Sequence, residues 1–170
     1  MINKPPELGA KKPEEWIQEW LGYFENVRFE FMKVRGLWFP ALYNGLGSCV
    51  HGTHPGQILI AGESGYISAV IPRETIEIRQ AVIRIIPTTT GAIDWTATVT
   101  YGAVGEDEAE DTETVTADDL DVTDDEITEI DVTDLFAAVS QSDQIGLQFT
   151  LDAVDTTTNV YLLGMYFLPR

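Results

Sequence analysis

The chain has one cysteine, Cys49, among 170 residues, so no internal disulfide framework braces it and the fold must be held by its core. Basic residues are few and unevenly placed. Residues 1–84 carry nine acids and nine bases, whereas residues 85–170 carry nineteen acids and a single base, Arg170. The formal net charge of -18 therefore belongs entirely to the second half. Binding to nucleic acid or to an anionic membrane depends on Lys and Arg neutralising phosphates, so neither is expected as a partner. No run approaches the roughly 18 apolar residues of a membrane span, and the opening MINKPPELGAKKPEE has no apolar core of a secretory leader. The expectation is a soluble protein made where it is used, or released without a cleaved signal.

Catalytic signatures are missing as well. No G-x-S-x-G, H-E-x-x-H, P-loop or dinucleotide-binding glycine pattern occurs, and Ser48, Ser64, Ser68, Ser140 and Ser142 have no local context that marks a nucleophile. Glycosidases need two carboxylates in environments that separate their pKa values, and the acids here run together with no such asymmetry. No catalytic residue is assigned, and the protein is not expected to be an enzyme.

Aromatic residues, by contrast, are concentrated near the start. Trp16, Trp20, Tyr23, Phe24, Phe29, Phe31, Trp38, Phe39 and Tyr43 all fall within 28 residues. Pro13-Glu14-Glu15 is a good helix opening, with proline early and carboxylates where the helix dipole is positive, and Trp16, Ile17, Trp20, Leu21 and Phe24 follow at helical spacing. A short helix over about Pro13–Phe24 is predicted, followed by extended chain. Residues 1–56 then read as an arm whose rings bury against its own domain or against neighbouring subunits, with Trp16, Trp20, Phe24, Phe29, Phe31, Trp38 and Phe39 as the assembly interface. Leu46–Pro55 reads as a loop in which Cys49, His51 and His54 supply three metal donors. Structural zinc takes four and the chain has no other Cys or His, so the loop is read as a turn with incidental histidines.

From residue 57 the pattern changes to short strands separated by turns, and residues 57–170 read as one domain. Eight strands are predicted: Gln57–Ala61 and Tyr66–Ile71 about an AGESG hairpin turn, then Thr75–Ile86, Ile93–Tyr101, Thr112–Thr116, Ile127–Val132, Gln144–Leu151 and Asn159–Leu168. Trp95, Ala97, Val99 and Tyr101 alternate with threonines, and Ile145, Leu147, Phe149 and Leu151 alternate with small or polar residues, so each of these strands has one buried and one wet face. Thr75–Ile86 changes parity between Ile78 and Ala81, which predicts a bulge near Arg79–Gln80. Asn159–Leu168 is apolar on both faces, as suits a covered central strand or a subunit interface. A short helix, capped by Thr133 or Asp134, is expected to carry Leu135, Phe136 and Val139. The fold class is mainly β: an antiparallel β-sandwich of jelly-roll type, preceded by the helical or extended arm.

The acids peak in Gly105–Asp131, which holds fourteen Asp or Glu and no Lys or Arg. The segment divides into a loop, GEDEAED, a strand, TETVT, a second turn, ADDLDVTDDE, and a strand, ITEID. The second turn lacks the central glycine of an EF-hand. Asp118, Asp119, Asp121, Asp124 and Asp125 are the candidates for an irregular calcium site. The preferred reading is a solvated face that keeps strand edges from pairing with other chains, with no cofactor.

The end of the chain carries a resemblance. A strand containing EIDV (129–132) leads through a short helical turn to DQIGLQFTLD (143–152), and a polar turn then precedes VYLLGMYF (160–167). This is similar to the closing part of a β-sandwich domain of tailed-phage virion proteins, over roughly residues 65–170. The resemblance implies a virion structural protein with no catalytic residues, made in the host cytoplasm and incorporated into the particle. The expected role is a capsid decoration or cement protein that forms a homotrimer and binds the major capsid protein or other virion proteins. The alternatives are a tail-fibre or collar subunit and a calcium-dependent carbohydrate-binding module. Against the last, Trp95 is the only tryptophan from residue 57 onward and falls on a buried face.

Overall fold

The computed structural model describes residues 36–42, 50–51, 54–72, 75, 77–107, 111–154 and 159–169. The helix expected over Pro13–Phe24, and with it Trp16, Trp20, Phe24, Phe29, Phe31 and Cys49, lies outside the described residues.

The described chain is an antiparallel β-sandwich of jelly-roll type. Its strands are β1 (Leu37–Leu42), β2 (Val50–His51), β3 (His54–Pro55), β4 (Gln57–Leu59), β5 (Ser64–Val70), β6 (Ile78–Pro87), β7 (Gly91–Gly102), β8 (Asp111–Val122), β9 (Thr128–Asp131), β10 (Gln144–Val154) and β11 (Val160–Pro169). One sheet runs β9-β6-β11, with β1 and β4 both paired to the far side of β11. The other runs β8-β7-β10-β5. Strand β1 belongs to both: Leu37–Pro40 pair with β11 in the first sheet, and Ala41 and Leu42 pair with Ile67 and Tyr66 of β5 in the second.

The core lies between the sheets. From the second come Ile93, Trp95, Ala97, Val99 and Tyr101 of β7 and Ile145, Leu147, Phe149 and Leu151 of β10, all buried as their alternation requires. From the first come Ala81, Ile83 and Ile85 of β6 and Val160, Leu162, Met165 and Phe167 of β11. A 3-10 turn at Thr133–Phe136 closes one end, with Phe136 edge-on to Phe167 at 4.8 Å. Neither Thr133 nor Asp134 caps this turn. The Thr133 N–H donates instead to Asp131 Oδ1 at 2.9 Å, and Thr133 Oγ1 accepts from the Ala81 N–H at 3.0 Å.

The bulge expected near Arg79–Gln80 is present: Leu168 faces Gln80 and Pro169 faces Ile78, leaving Arg79 as the extra residue. A second bulge explains why β11 is apolar on both faces. Leu162 faces Ile85 and Gly164 faces Arg84, so Leu163 is extra and the inward parity passes from Val160 and Leu162 to Met165 and Phe167.

Three expectations are corrected. Gln57–Leu59 and Ser64–Val70 do not form a hairpin. β4 pairs with β11 and β5 with β10, so the turn between them, closed by Glu63 N–H to Ile60 O at 2.9 Å, carries the chain from one sheet to the other. Leu37–Leu42, within the segment read as an arm, is a strand of the sandwich. The second acidic turn is mostly strand, because β8 continues to Val122 and the turn itself is confined to the residues after it. Inward Val115, Ala117, Leu120 and Val122 set the strand pattern, but two residues, Asp118 and Asp119, stand opposite Asp94 and break the period. Asp119 has φ +55 there, and its N–H donates to Asp94 Oδ1 at 2.9 Å.

Candidate functional site

The two sheets present different outer faces. On the first, Val82, Ile86 and Leu163 are buried yet stand apart from the core between the sheets. This sheet therefore has apolar residues on both sides. Trp38 is 44 % exposed there, and the Arg84 guanidinium lies 5.7 Å from both the Trp38 and Tyr166 ring centroids. Arg84 is held in place by Glu129, whose Oε1 accepts from Nη2 at 2.7 Å and from Nε at 2.9 Å. Trp38, Pro40, Leu163, Ile127, His54 and Pro55 border a hollow of about 270 Å3 beside Arg84. Arg79 and Arg84, both on β6, are the only basic residues among the described ones.

Close approach of β1 to this sheet depends on Gly164. It has φ +149, and a Cβ at that position would lie 2.3 Å from Phe39 O and 2.9 Å from Pro40 Cα. Of the assembly residues read from the sequence, Trp38 points outward, whereas Phe39 packs edge-on to Phe167 at 5.6 Å and belongs to the inner side.

The outer face of the second sheet is a grid of hydroxyl and amide side chains. Thr96 faces Thr116, Thr98 faces Thr114 and Thr100 faces Thr112 across β7 and β8. The first two pairs are hydrogen-bonded through their hydroxyls at 3.1 Å. Thr150 continues the first row to Ser64, hydroxyl to hydroxyl at 2.8 Å, and Gln148 continues the second to Tyr66. In the third row Gly146 stands between Thr100 and Ser68, and the face dips. The resulting groove, about 570 Å3, is floored by Gly146, Thr100, Ser68 and Gln144 and walled by the turn at Ala103–Asp107. That turn is fixed by Gly105 at φ +101 and by the Ala103 N–H donating to Glu106 Oε2 at 2.8 Å. Sequence reading found the alternating threonines but not the groove, since nothing local marks Gly146 as the gap in a row.

The calcium candidates fall in two places. Asp118 and Asp119 are at the bulge beside Asp94, whereas Asp124 and Asp125 lie in the β8–β9 turn, where their N–H groups donate to Thr90 Oγ1 and Pro87 O at 3.0 Å. Asp121 is on β8 opposite Ala92. All five are exposed, and among the described residues no three His, Cys, Asp or Glu side chains converge as a metal site.

No protein-family model and no curated protein matches the chain. Among solved structures, similar ones include the insecticidal delta-endotoxin Cry8Ea1 from Bacillus thuringiensis, with 12% identity and TM-score 0.44 over 68% of this chain. The chain spans only 20% of that toxin's length. Carbohydrate-binding module CBM36 in complex with calcium and xylotriose is similar at 15% identity and TM-score 0.43, covering 76% of this chain and 92% of the module. TmCBM61 in complex with beta-1,4-galactotriose follows at 9% identity and TM-score 0.39, covering 76% and 81%. Likenesses of this size do not bear on what the two faces bind.

Proposed function

We propose that the protein is a virion structural component, a head decoration protein that adds non-covalent contacts across a capsid and acts as a homotrimer rather than as an enzyme. The observation that carries this reading is the outer face of the first sheet, where Trp38 and Ile127, each about half exposed, border a hollow with Leu163. Val82, Ile86 and Leu163 are already covered within the chain, so what sister subunits or a shell would cover is the exposed apolar margin of Trp38 and Ile127. In the proposed arrangement, the residues that precede β1 supply the assembly segment together with outward Trp38, and β1 ties that segment into the sandwich. The acidic second sheet faces solvent, where high charge opposes unwanted association. The strands that resemble the phage domain correspond to β9, β10 and β11. A tail-fibre or collar subunit is the second reading, favoured by the same apolar face.

Light scattering coupled to size exclusion tests the proposal. The full chain should run at three times its 18.9 kDa mass, and Trp38→Glu, which places a charge on the exposed face, should shift it to monomer with an unchanged far-ultraviolet circular dichroism spectrum. A monomeric full chain that also fails to bind purified capsid shells or tails sinks both virion readings. Binding to tails but not shells selects the fibre or collar role.

A further inference from the structure

We infer that the groove over Gly146 on the second sheet binds a neutral oligosaccharide, without calcium. The site is independent of the assembly face, being on the opposite side of the sandwich. It offers three kinds of contact that a sugar uses. Thr100, Ser68 and Gln144 line the floor with hydroxyl and carboxamide groups. Thr100 Oγ1 is committed only by a 3.4 Å contact to Gly146 O, and Gln144 donates one amide hydrogen to Ala69 O at 3.4 Å, so both keep hydrogen-bonding capacity for a ligand. Tyr66, 48 % exposed on the adjoining row, presents a ring against which the C–H face of a pyranose can pack. Val104, fully exposed at the tip of the walling turn, and half-exposed Val70 beside Gln144 add apolar contact at the margins.

The spacing suits a chain of hydroxyls. Neighbouring rows stand about 4.8 Å apart across strands and about 6.8 Å apart along them, so successive ligand hydroxyls each meet a different side chain. The electrostatics select against charge of the other kinds. β5, β7, β8 and β10 contain no Lys or Arg, and Glu106 and Asp107 stand in the wall, so an anionic glycan or a phosphate is repelled. The same wall would attract a cation, but the floor carries no carboxylate to pair with one, and insensitivity to salt distinguishes a neutral sugar from a cationic ligand. The groove volume of about 570 Å3 lies in the ordinary range for ligand sites.

Native affinity electrophoresis of the full-length protein through gels containing soluble xylan, galactan, mannan or mixed-linkage glucan tests this, followed by calorimetric titration with a hexasaccharide of the retarding polymer. At least one polymer should retard the protein, in EDTA as well as in calcium, and the affinity should be unchanged by 0.5 M NaCl. Tyr66→Ala and Gly146→Val should each weaken it at least tenfold. The valine fills the gap on the outer face, where its Cβ meets only Thr100 Oγ1 at 3.2 Å, so the thermal midpoint should stay within a few degrees of the parent. Absence of retardation by every polymer overturns the inference. So does binding that both variants retain, or that disappears in EDTA or high salt, since those mark another site or capture by the acidic loops.

Discussion

The first sheet is apolar on both sides and twice bulged, whereas the second is apolar inside and hydroxyl-bearing outside, with its bulges confined to the ends of the β7 ladders near Asp94 and Asp152. The difference follows from what each sheet must satisfy. A strand with one wet face needs strict period-two alternation, and β7 and β10 keep it over most of their length. A strand with two dry faces has no polar positions to keep in phase, so an extra residue such as Leu163 can be accommodated by moving the apolar side chains from one face to the other.

The largest expected effect strikes the first sheet through Gly164. Gly164→Ala places a methyl against the Phe39 carbonyl and imposes a side chain at φ +149, so β1 must separate from β11. We expect a loss of about 3 kcal/mol, roughly 6–12 °C in the thermal midpoint, read by calorimetry. A change under about 1 kcal/mol would mean that β1 contributes little to the sandwich. Next is Arg84→Ala, which removes both rings' cation and leaves Glu129 unpaired; both partners are partly solvated, so the loss should be about 1 kcal/mol. Arg84→Lys should recover less than half, since an ammonium offers no planar group to stack.

The buried end of the second sheet predicts an alkaline limit. Tyr101 is 2 % exposed, and its hydroxyl has no hydrogen-bond partner among the described groups. Burial raises its pKa, assisted by the charges of Asp111, Glu113 and Asp143. Its folded pKa thus exceeds the unfolded value of about 10, so its contribution is full below pH 10 and is lost as pH rises through the folded pKa. The midpoint should fall more steeply above pH 10 in the parent than in Tyr101→Phe, and at pH 7 the phenylalanine variant should be equal or more stable, having no hydroxyl to leave unpaired. The smallest effect belongs to the hydroxyl grid. Thr98→Val with Thr114→Val removes one cross-strand hydrogen bond and should change stability by less than about 0.5 kcal/mol, in contrast with a substitution on the first sheet. For the acidic candidates, added calcium should raise the midpoint no more than magnesium at equal ionic strength; a calcium-specific rise would restore the metal reading.

The contrast between the sheets also explains what could be read in the sequence. β7, β9, β10 and β11 were legible because alternation or an unbroken apolar run marks them, and the parity change before Ala81 marked the Arg79 bulge. The extent of β8 was hidden because Asp118 and Asp119 interrupt the run to Leu120 and Val122, and acids at a bulge look like acids in a turn. β1 was hidden because Trp38 and Phe39 look like part of the aromatic segment before them, and the partner of Leu37–Pro40 lies more than a hundred residues away in β11. The groove is a property of neighbouring strands in register, Thr100 beside Gly146 beside Ser68, and register is not written in any one of them.

Strand β1 has a mechanical consequence. Its first four residues are bonded to one sheet and its last two to the other, so tension applied along the chain at Gly36 enters both layers through a single strand. The sandwich then resists as one body until that strand slips, which requires the ladder bonds of Leu37–Leu42 to break together with the packing of Phe39 on Phe167.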